Sequence, residues 1–186
     1  MKATHLPVLL LLVLLAGCAG TPATTATPTN SPLPARPSEL VLDRVDPCTI
    51  ITPTQRTQLL VGKPKSVRTK DGSDLAACLW ARFPQEPQDF YLISMDVKLG
   101  AEYALASDSG SRVIDINGFT AVESQRSDTP PGVNCMLAVD VAAGQNLAIR
   151  YDYFGSTVPM TTQSSCEKAA TLARMAVQTM LEQNIR

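Results

Sequence analysis

The sequence predicts an α+β domain: an antiparallel sheet with a short N-terminal helix and a longer C-terminal helix packed on it, stapled by disulfide bonds. Residues 75–98 and 135–153 alternate apolar and polar side chains, which is the period of half-buried strands. Asn117-Gly118 is a strong hairpin signal, because both residues tolerate positive φ. Residues 166–182 carry an apolar stripe at helical spacing, and strands followed by a helix are typical of α+β domains.

The N-terminal helix is predicted between Asp46 and Gly62. Asp46-Pro47 is a start signal, since Asp caps helices and Pro suits their first position. Thr52-Pro53-Thr54-Gln55 repeats the signal as a capping box, and Gly62 supplies the stop. We expect a break near Thr52 and burial of four residues: Ile50, Ile51, Leu59 and Leu60.

Six strands are predicted from alternation and from the turn residues between them. They span Leu75–Phe83, Phe90–Lys98, Val113–Ile116, Phe119–Glu123, Cys135–Ala142 and Leu147–Tyr153, with Gly144 joining the last two as a hairpin. The residues expected to point inward are Cys78, Trp80, Tyr91, Ile93, Met95, Val97, Cys135, Leu137, Val139, Val141, Leu147, Ile149, Tyr151 and Tyr153.

The C-terminal helix has the clearest signal in the chain. Ser164-Ser165-Cys166-Glu167 is a capping box, which predicts a helix from Cys166 to about Glu182. Small and apolar residues recur at steps of three and four and form one stripe, which would let the helix lie close to the sheet. The stripe consists of Ala169, Leu172, Ala173, Ala176, Met180 and Leu181.

The first 17 residues have the layout of a secretory signal peptide. Lys2 is followed by a mainly apolar run over residues 6–15, which is too short for a transmembrane helix. The sequence Leu15-Ala16-Gly17-Cys18 resembles a bacterial lipobox. That resemblance implies cleavage before Cys18 and a thioether-linked diacylglycerol on its sulfur. The alternative is an ordinary signal peptide with an incidental cysteine.

Lipidation of Cys18 would also explain the odd number of cysteines. The chain has five, and four remain for disulfide bonds in an oxidising compartment once Cys18 carries lipid. Two acyl chains suffice for stable anchoring. We therefore expect the protein at the cell membrane, lipid-anchored on its extracytoplasmic face.

Composition divides the chain into a signal peptide (1–17), a lipid-anchored Thr/Pro-rich tether (18–39) and one extracytoplasmic domain (40–186). Residues 19–39 lack apolar periodicity and cannot bury enough surface to order themselves. Prolines favour an extended chain of about 3.1 Å per residue, so the tether could reach ~60 Å. The remaining segment has the size of a single domain.

Composition also argues against several functions. His5 is the only histidine, so cleavage would leave none and would exclude catalytic sites that need an imidazole. Loss of Lys2 leaves 15 Lys and Arg against 17 Asp and Glu, a net charge of −2 that gives no footprint for nucleic acid. No cofactor motif is present, and the cysteine spacing suits no usual zinc site. We expect neither an enzyme nor a protein with a cofactor or metal.

Motifs in both halves resemble the DUF3558 family of actinobacterial lipoproteins, which has no known function. The first half contributes Asp46-Pro47-Cys48, a small helix ending at Leu60 and Gly62, and Cys78-Leu79-Trp80. The second contributes Gly118-Phe119-Thr120-Ala121, Cys135 to Asp140, Gly144, and Cys166 with Ala169 and Ala170. The resemblance covers about residues 40–183 and the lipobox. It implies location, fold and cysteines, and no active site.

The four remaining cysteines allow three pairings. We favour Cys48–Cys78 with Cys135–Cys166, because each bond would join a helix start to a nearby strand, and the family resemblance supports it. The nested pairing Cys48–Cys166 with Cys78–Cys135 is the alternative. A redox-active or metal-binding set would require a CxxC motif or a cationic neighbour, for which Lys168 is the one candidate.

Other chemically suggestive residues have simpler structural interpretations. Trp80, Tyr91, Tyr151 and Tyr153 could line a ligand groove, but such aromatic residues are more often core. Asp115, Asp128, Asp140 and Asp152 are expected to be solvated on strand faces and loops. The basic run of Lys63, Lys65, Arg68 and Lys70 is followed by Asp71 and Asp74, and fits a solvated loop or an edge strand.

Anchor, tether and stapled domain together favour a non-enzymatic binding or interaction module at the outer face of the cytoplasmic membrane. Its expected partners are the membrane and an unknown envelope protein or small ligand. A carrier of a lipid or other small apolar molecule is the first alternative, and would need a cavity or groove. A cell-envelope hydrolase that works without histidine is the second.

Overall fold

One antiparallel sheet of seven strands organises the chain, in the order β1-β2-β3-β7-β6-β5-β4. The computed structural model describes residues 32–69, 73–82, 88–124, 133–154 and 159–185. The strands are β1 Lys65–Arg68, β2 Ala76–Arg82, β3 Gln88–Asp96, β4 Arg112–Ile116, β5 Phe119–Ser124, β6 Val133–Ala142 and β7 Gln145–Phe154. The helices are α1 Pro53–Leu59, α2 Ala101–Ser107 and α3 Thr162–Glu182. The predicted α+β class is confirmed.

The sheet has one face covered by α3 and one face that is only partly covered. α3 packs across β6 and β7 and buries the inward parity of the central strands. α2 packs on the other face against β5 and β6, where Ala101 and Val122 form a small second cluster with Leu33. No helix among the described residues is long and apolar enough to cross a membrane.

The hairpin predictions are confirmed. Asn117 and Gly118 both adopt positive φ, at 53° and 84°, and join β4 to β5. Gly144 lies at φ 68° between β6 and β7. Few side chains tolerate positive φ, so the turn residues themselves specify these hairpins.

The first helix is shorter than predicted. The capping box is present: the Gln55 N–H donates to Thr52 Oγ1 and the Thr52 N–H donates to Gln55 Oε1. Asp46 instead accepts a hydrogen bond from the Cys48 N–H in a turn, so the predicted start at Asp46 is wrong. Leu60 takes the left-handed conformation that ends the helix and is 65% exposed. The predicted stop at Gly62 and the predicted burial of Leu60 are therefore wrong as well.

The last helix begins one turn earlier than predicted. Thr161 is the N-cap, and its hydroxyl oxygen accepts a hydrogen bond from the Ser164 N–H. Ser165 and Cys166 are consequently buried inside the first two turns rather than at the cap. The predicted apolar stripe is buried except for Leu181, which is 41% exposed near the end of the helix.

One helix and one strand end depart from the sequence prediction. β1 forms the sheet edge, which agrees with the edge-strand interpretation of the basic run. α2 was not predicted. β3 ends at Asp96, whose carboxylate accepts hydrogen bonds from the Lys98 and Leu99 N–H groups. This turn leaves Val97 exposed instead of buried.

Residues 32–39 lie on the domain, although their composition placed them in the tether. Leu33 is buried against α2 and β5. Arg36 pairs with Asp140 on β6 and with Glu39. The compact unit accordingly spans Ser31–Arg186, rather than beginning at residue 40.

Candidate functional site

The two disulfide bonds join Cys48 to Cys78 and Cys135 to Cys166. The first ties the turn before α1 to β2, and the second ties β6 to the first turns of α3. This is the pairing that spacing and resemblance favoured. Both bonds therefore act as staples in the folded domain.

The aromatic candidates belong to the core. Trp80, Tyr91, Tyr151 and Tyr153 are all buried on the face that α3 covers. Tyr91 and Tyr151 pair across β3 and β7 with ring centroids 4.9 Å apart. At most 3% of each residue is exposed, so the core interpretation is confirmed.

A polar cluster closes one end of this core. Asp89 is buried, accepts a hydrogen bond of 2.6 Å from the Tyr151 hydroxyl and pairs with Arg82. The ammonium of Lys168 on α3 lies 5.8 Å above the Tyr151 ring, where a cation–π attraction operates. Lys168 therefore contacts an aromatic ring, and Cys166 beside it is already oxidised.

Tyr151 of this cluster and its ring neighbour Tyr91 are held in their protonated form. Burial, with the negative charge of Asp89 second, raises the pKa of Tyr91 to about 12. Burial and the hydrogen bond to Asp89 raise the pKa of Tyr151 further above its ordinary value. A neutral hydroxyl bound to a paired carboxylate offers neither an activated nucleophile nor a free base. The cluster is best explained as structural.

Glu123 and the Cys135–Cys166 disulfide form a second buried group. The carboxylate and the two sulfurs lie within 4.8 Å of one another. Both sulfurs are bonded to each other, and metal coordination needs thiolates. The carboxylate pairs with Arg112 through both oxygens. This arrangement stabilises the β5–β6–α3 junction and does not form a metal site.

The outer face of the central strands carries apolar side chains where a solvated face should be polar. Phe90 and Leu92 on β3, Met136 on β6, and Ala148 and Phe154 on β7 all have outward parity and retain exposure. We call these five residues the open strip. Phe90 and Phe154 meet edge to face at its end, with ring centroids 5.5 Å apart.

A groove of about 330 Å³ lies along the open strip. Its apolar floor is formed by Leu92, Met136 and Ala148, with Ser94 beside them. Register explains the arrangement, because Leu92, Arg150 and Met136 stand in one row across β3, β7 and β6. Arg68 and Thr69, at the end of β1, form the far wall. Its volume is at the lower end of the range for ligand pockets.

The cations of the groove are partly neutralised. Arg150 donates to Asp152, and the pKa of Asp152 is raised by burial, against the opposing charge of Arg150. Arg68 pairs with Asp74, and its hydrogen bond lowers the pKa of that carboxyl. The charge of Lys98 acts in the same direction on Asp74. The groove thus offers an apolar floor between arginines that carboxylates balance.

The remaining sequence candidates have mixed outcomes. Asp115 is exposed on β4 and accepts from the Gly118 N–H in the hairpin, as expected of a solvated residue on a strand face. Asp140 is only 1% exposed, so its predicted solvation is wrong: Arg36 provides the counter-charge that lets it be buried. Cys18, Asp128 and Lys70 lie outside the described residues.

Sequence reasoning missed the open strip, although a signal existed. Phe90, Leu92, Met136 and Phe154 interrupt the polar parity of strands that otherwise alternate. The inward residues of those strands already accounted for a core, so the apolar outward residues received no separate explanation.

The chain belongs to the family whose model is described as "Protein of unknown function (DUF3558)", which matches residues 13–179. The resemblance seen in the cysteine and glycine motifs is thereby confirmed. Neither a curated protein nor a solved structure matches the chain significantly.

Proposed function

We propose that this chain is a non-enzymatic, lipid-anchored binding module at the outer face of the cytoplasmic membrane, and that its binding surface is the open strip. The open strip carries the proposal: five apolar side chains occupy the parity that an antiparallel sheet normally gives to water. α3 and the aromatic core fill the covered face of the sheet, so the outer face is the one available to bind a partner.

A small apolar ligand is the second candidate, and the groove favours it. Leu92, Met136 and Ala148 offer a floor, and Ser94 and Arg150 can orient a polar group. In this case the protein would be a carrier. A protein partner would instead use the whole strip, including the aromatic pair at its end.

Site-specific photo-crosslinking in cells tests the proposal. A photo-reactive amino acid replaces Leu92, and a matched control carries it at Val113, an exposed apolar residue on β4. We expect position 92 to capture a discrete product that position 113 does not. Equal labelling at both positions would refute the open strip as the binding surface.

Native mass spectrometry of the protein from membranes separates the two candidates. A reproducible small adduct that Leu92→Lys removes and Val113→Lys keeps would identify a carrier. A bare mass together with a crosslinked protein at position 92 would identify an interaction module. Turnover of cell-envelope substrates by the purified protein would contradict a non-enzymatic role.

A further inference from the structure

Three large apolar side chains lie exposed within a short segment after β3. Val97, Leu99 and Tyr103 are 38%, 43% and 58% exposed. We call them the apolar loop patch. They are three of the seven large apolar side chains left exposed in the described part of the chain, and single scattered ones need no explanation. Three such side chains in one loop and the start of one helix do need an explanation.

The apolar loop patch is held outward by specific hydrogen bonds. The carboxylate of Asp96 accepts from the Lys98 and Leu99 N–H groups, and the Asn146 side chain donates to the Leu99 carbonyl at 2.8 Å. Ala101, at the start of α2, is fully buried and fixes the other end of the loop. The exposure of Val97 and Leu99 is therefore built into the fold.

The chain enters the domain beside this patch. Leu33 packs against Ala101, which lies two residues from both Leu99 and Tyr103 in sequence. Fourteen residues lie between Cys18 and Leu33, and the fully extended chain from one to the other spans at most about 50 Å. If Cys18 carries lipid, the patch is the apolar surface beside the point where the anchor chain joins the domain.

We propose that the apolar loop patch inserts into the lipid surface to which the chain is anchored. Val97 and Leu99 enter the boundary between headgroups and acyl chains, Tyr103 lies at headgroup level, and Lys98 between them meets lipid phosphates. Ser94 lines the groove and Val97 follows it three residues later, directly after the end of β3, so this contact turns that end of the groove towards the membrane. The inference rests on the lipid anchor of the proposed function.

Depth-dependent fluorescence quenching tests this contact with the full mature chain. The chain starting at Cys18 is made without lipid and coupled through that thiol to a maleimide phospholipid, since the other four cysteines are in disulfides. The vesicles contain phosphatidylglycerol and phosphatidylcholine with brominated acyl chains. Tyr103→Trp is the reporter, and the native Trp80 is buried and serves as background.

The matched control is Leu181→Trp, an exposed position near the end of α3, which covers the face of the sheet opposite α2. We expect about twofold quenching and a blue shift at position 103 and neither at position 181, as for a side chain in the interface. Val97→Ser with Leu99→Ser should abolish the quenching at position 103.

Equal quenching at both positions, or none at position 103, overturns the proposal. A blue shift of the reporter at position 103 before vesicles are added also overturns it, because a second copy of the chain would then cover the patch. The mass of Cys18 in the native protein tests the anchor separately, so failure of the anchor and failure of the contact are distinguishable.

Discussion

Arg36 Nη1 lies 2.8 Å and 2.7 Å from the two carboxylate oxygens of Asp140, which is almost completely buried on β6. The pair fixes the segment that leads into the domain to the centre of the sheet, across 104 residues of sequence. The side chains of Arg36 and Asp140 are 14% and 1% exposed, so solvent screens their attraction only weakly.

Arg36→Met should lower the free energy of unfolding by about 3 kcal/mol, because it leaves a buried carboxylate without its partner. Urea unfolding of the mature chain measures the loss. Arg36→Met combined with Asp140→Leu should recover most of it. Glu39→Gln, which alters only the exposed partner of Arg36, should cost less than about 1 kcal/mol.

The penalty of Arg36→Met should depend on pH. Burial raises the pKa of Asp140 and Arg36 opposes that rise, so the variant has a still higher folded-state pKa. A carboxyl whose pKa is raised on folding lowers the free energy of unfolding as pH rises through that pKa. The penalty is therefore largest at neutral pH and shrinks towards about pH 4, the ordinary carboxyl range. A penalty equal at both pH values would assign the loss to packing.

The alkaline limb of the stability curve should depend on Tyr91 and Tyr151. Their folded-state pKa values lie above the ordinary value of 10, with Tyr91 at about 12. The unfolded chain releases these protons first, so stability falls as pH rises above about 10. The Tyr91→Phe and Tyr151→Phe variants should each flatten this fall in unfolding titrations. Tyr103→Phe, on the exposed face of α2, is the control.

The two disulfides should be reduced in a fixed order. Cys48 is partly exposed, whereas Cys135 and Cys166 are buried beside the Glu123 carboxylate. A negative group disfavours both the attacking and the leaving thiolate. In a time course with dithiothreitol, alkylation and mass spectrometry should therefore find Cys48–Cys78 opened first. Glu123→Gln should hasten reduction of the other bond; an unchanged rate would exclude the electrostatic explanation.

The lipid anchor makes a prediction of its own. Cys18→Ser should release the protein from the membrane fraction and remove a diacylglycerol mass from its N-terminus, since two acyl chains give stable anchoring and none gives little. Cell fractionation and intact-mass measurement check both effects. A variant that remains in the membrane with unchanged mass would contradict lipidation at Cys18.

Features set by neighbouring residues were predictable from the sequence. The positive-φ turns at Asn117-Gly118 and Gly144, the alternation of the strands and the Thr52–Gln55 capping box depend on local chemistry, and each is present. α2 was missed because its seven residues have no side-chain cap and no long apolar stripe. Thr161 prevailed over Ser164 as a cap because burial of Cys166 against β6 places the start of α3 earlier.

Features that depend on distant partners could not be predicted. Asp140 alternates with inward residues and looks solvated until Arg36 is seen beside it. The open strip likewise depends on strand order, because Leu92 and Met136 face the same groove only when β7 lies between β3 and β6. Sequence periodicity assigns parity, and the sheet topology decides which outward residues meet.

The disulfide connectivity also bears on the order in which the chain can mature. The four cysteines after Cys18 pair two by two in chain order, Cys48 with Cys78 and Cys135 with Cys166, at separations of 30 and 31 residues. If the chain is exported from its N-terminus with Cys18 blocked by lipid, Cys48 and Cys78 emerge before Cys135. Oxidation of the thiols in that order would then yield the native bonds directly, without a reshuffling step by an isomerase. The long-range β3–β7 pairing can then form last, when β3, which follows the first cross-linked segment, meets β7 inside the second.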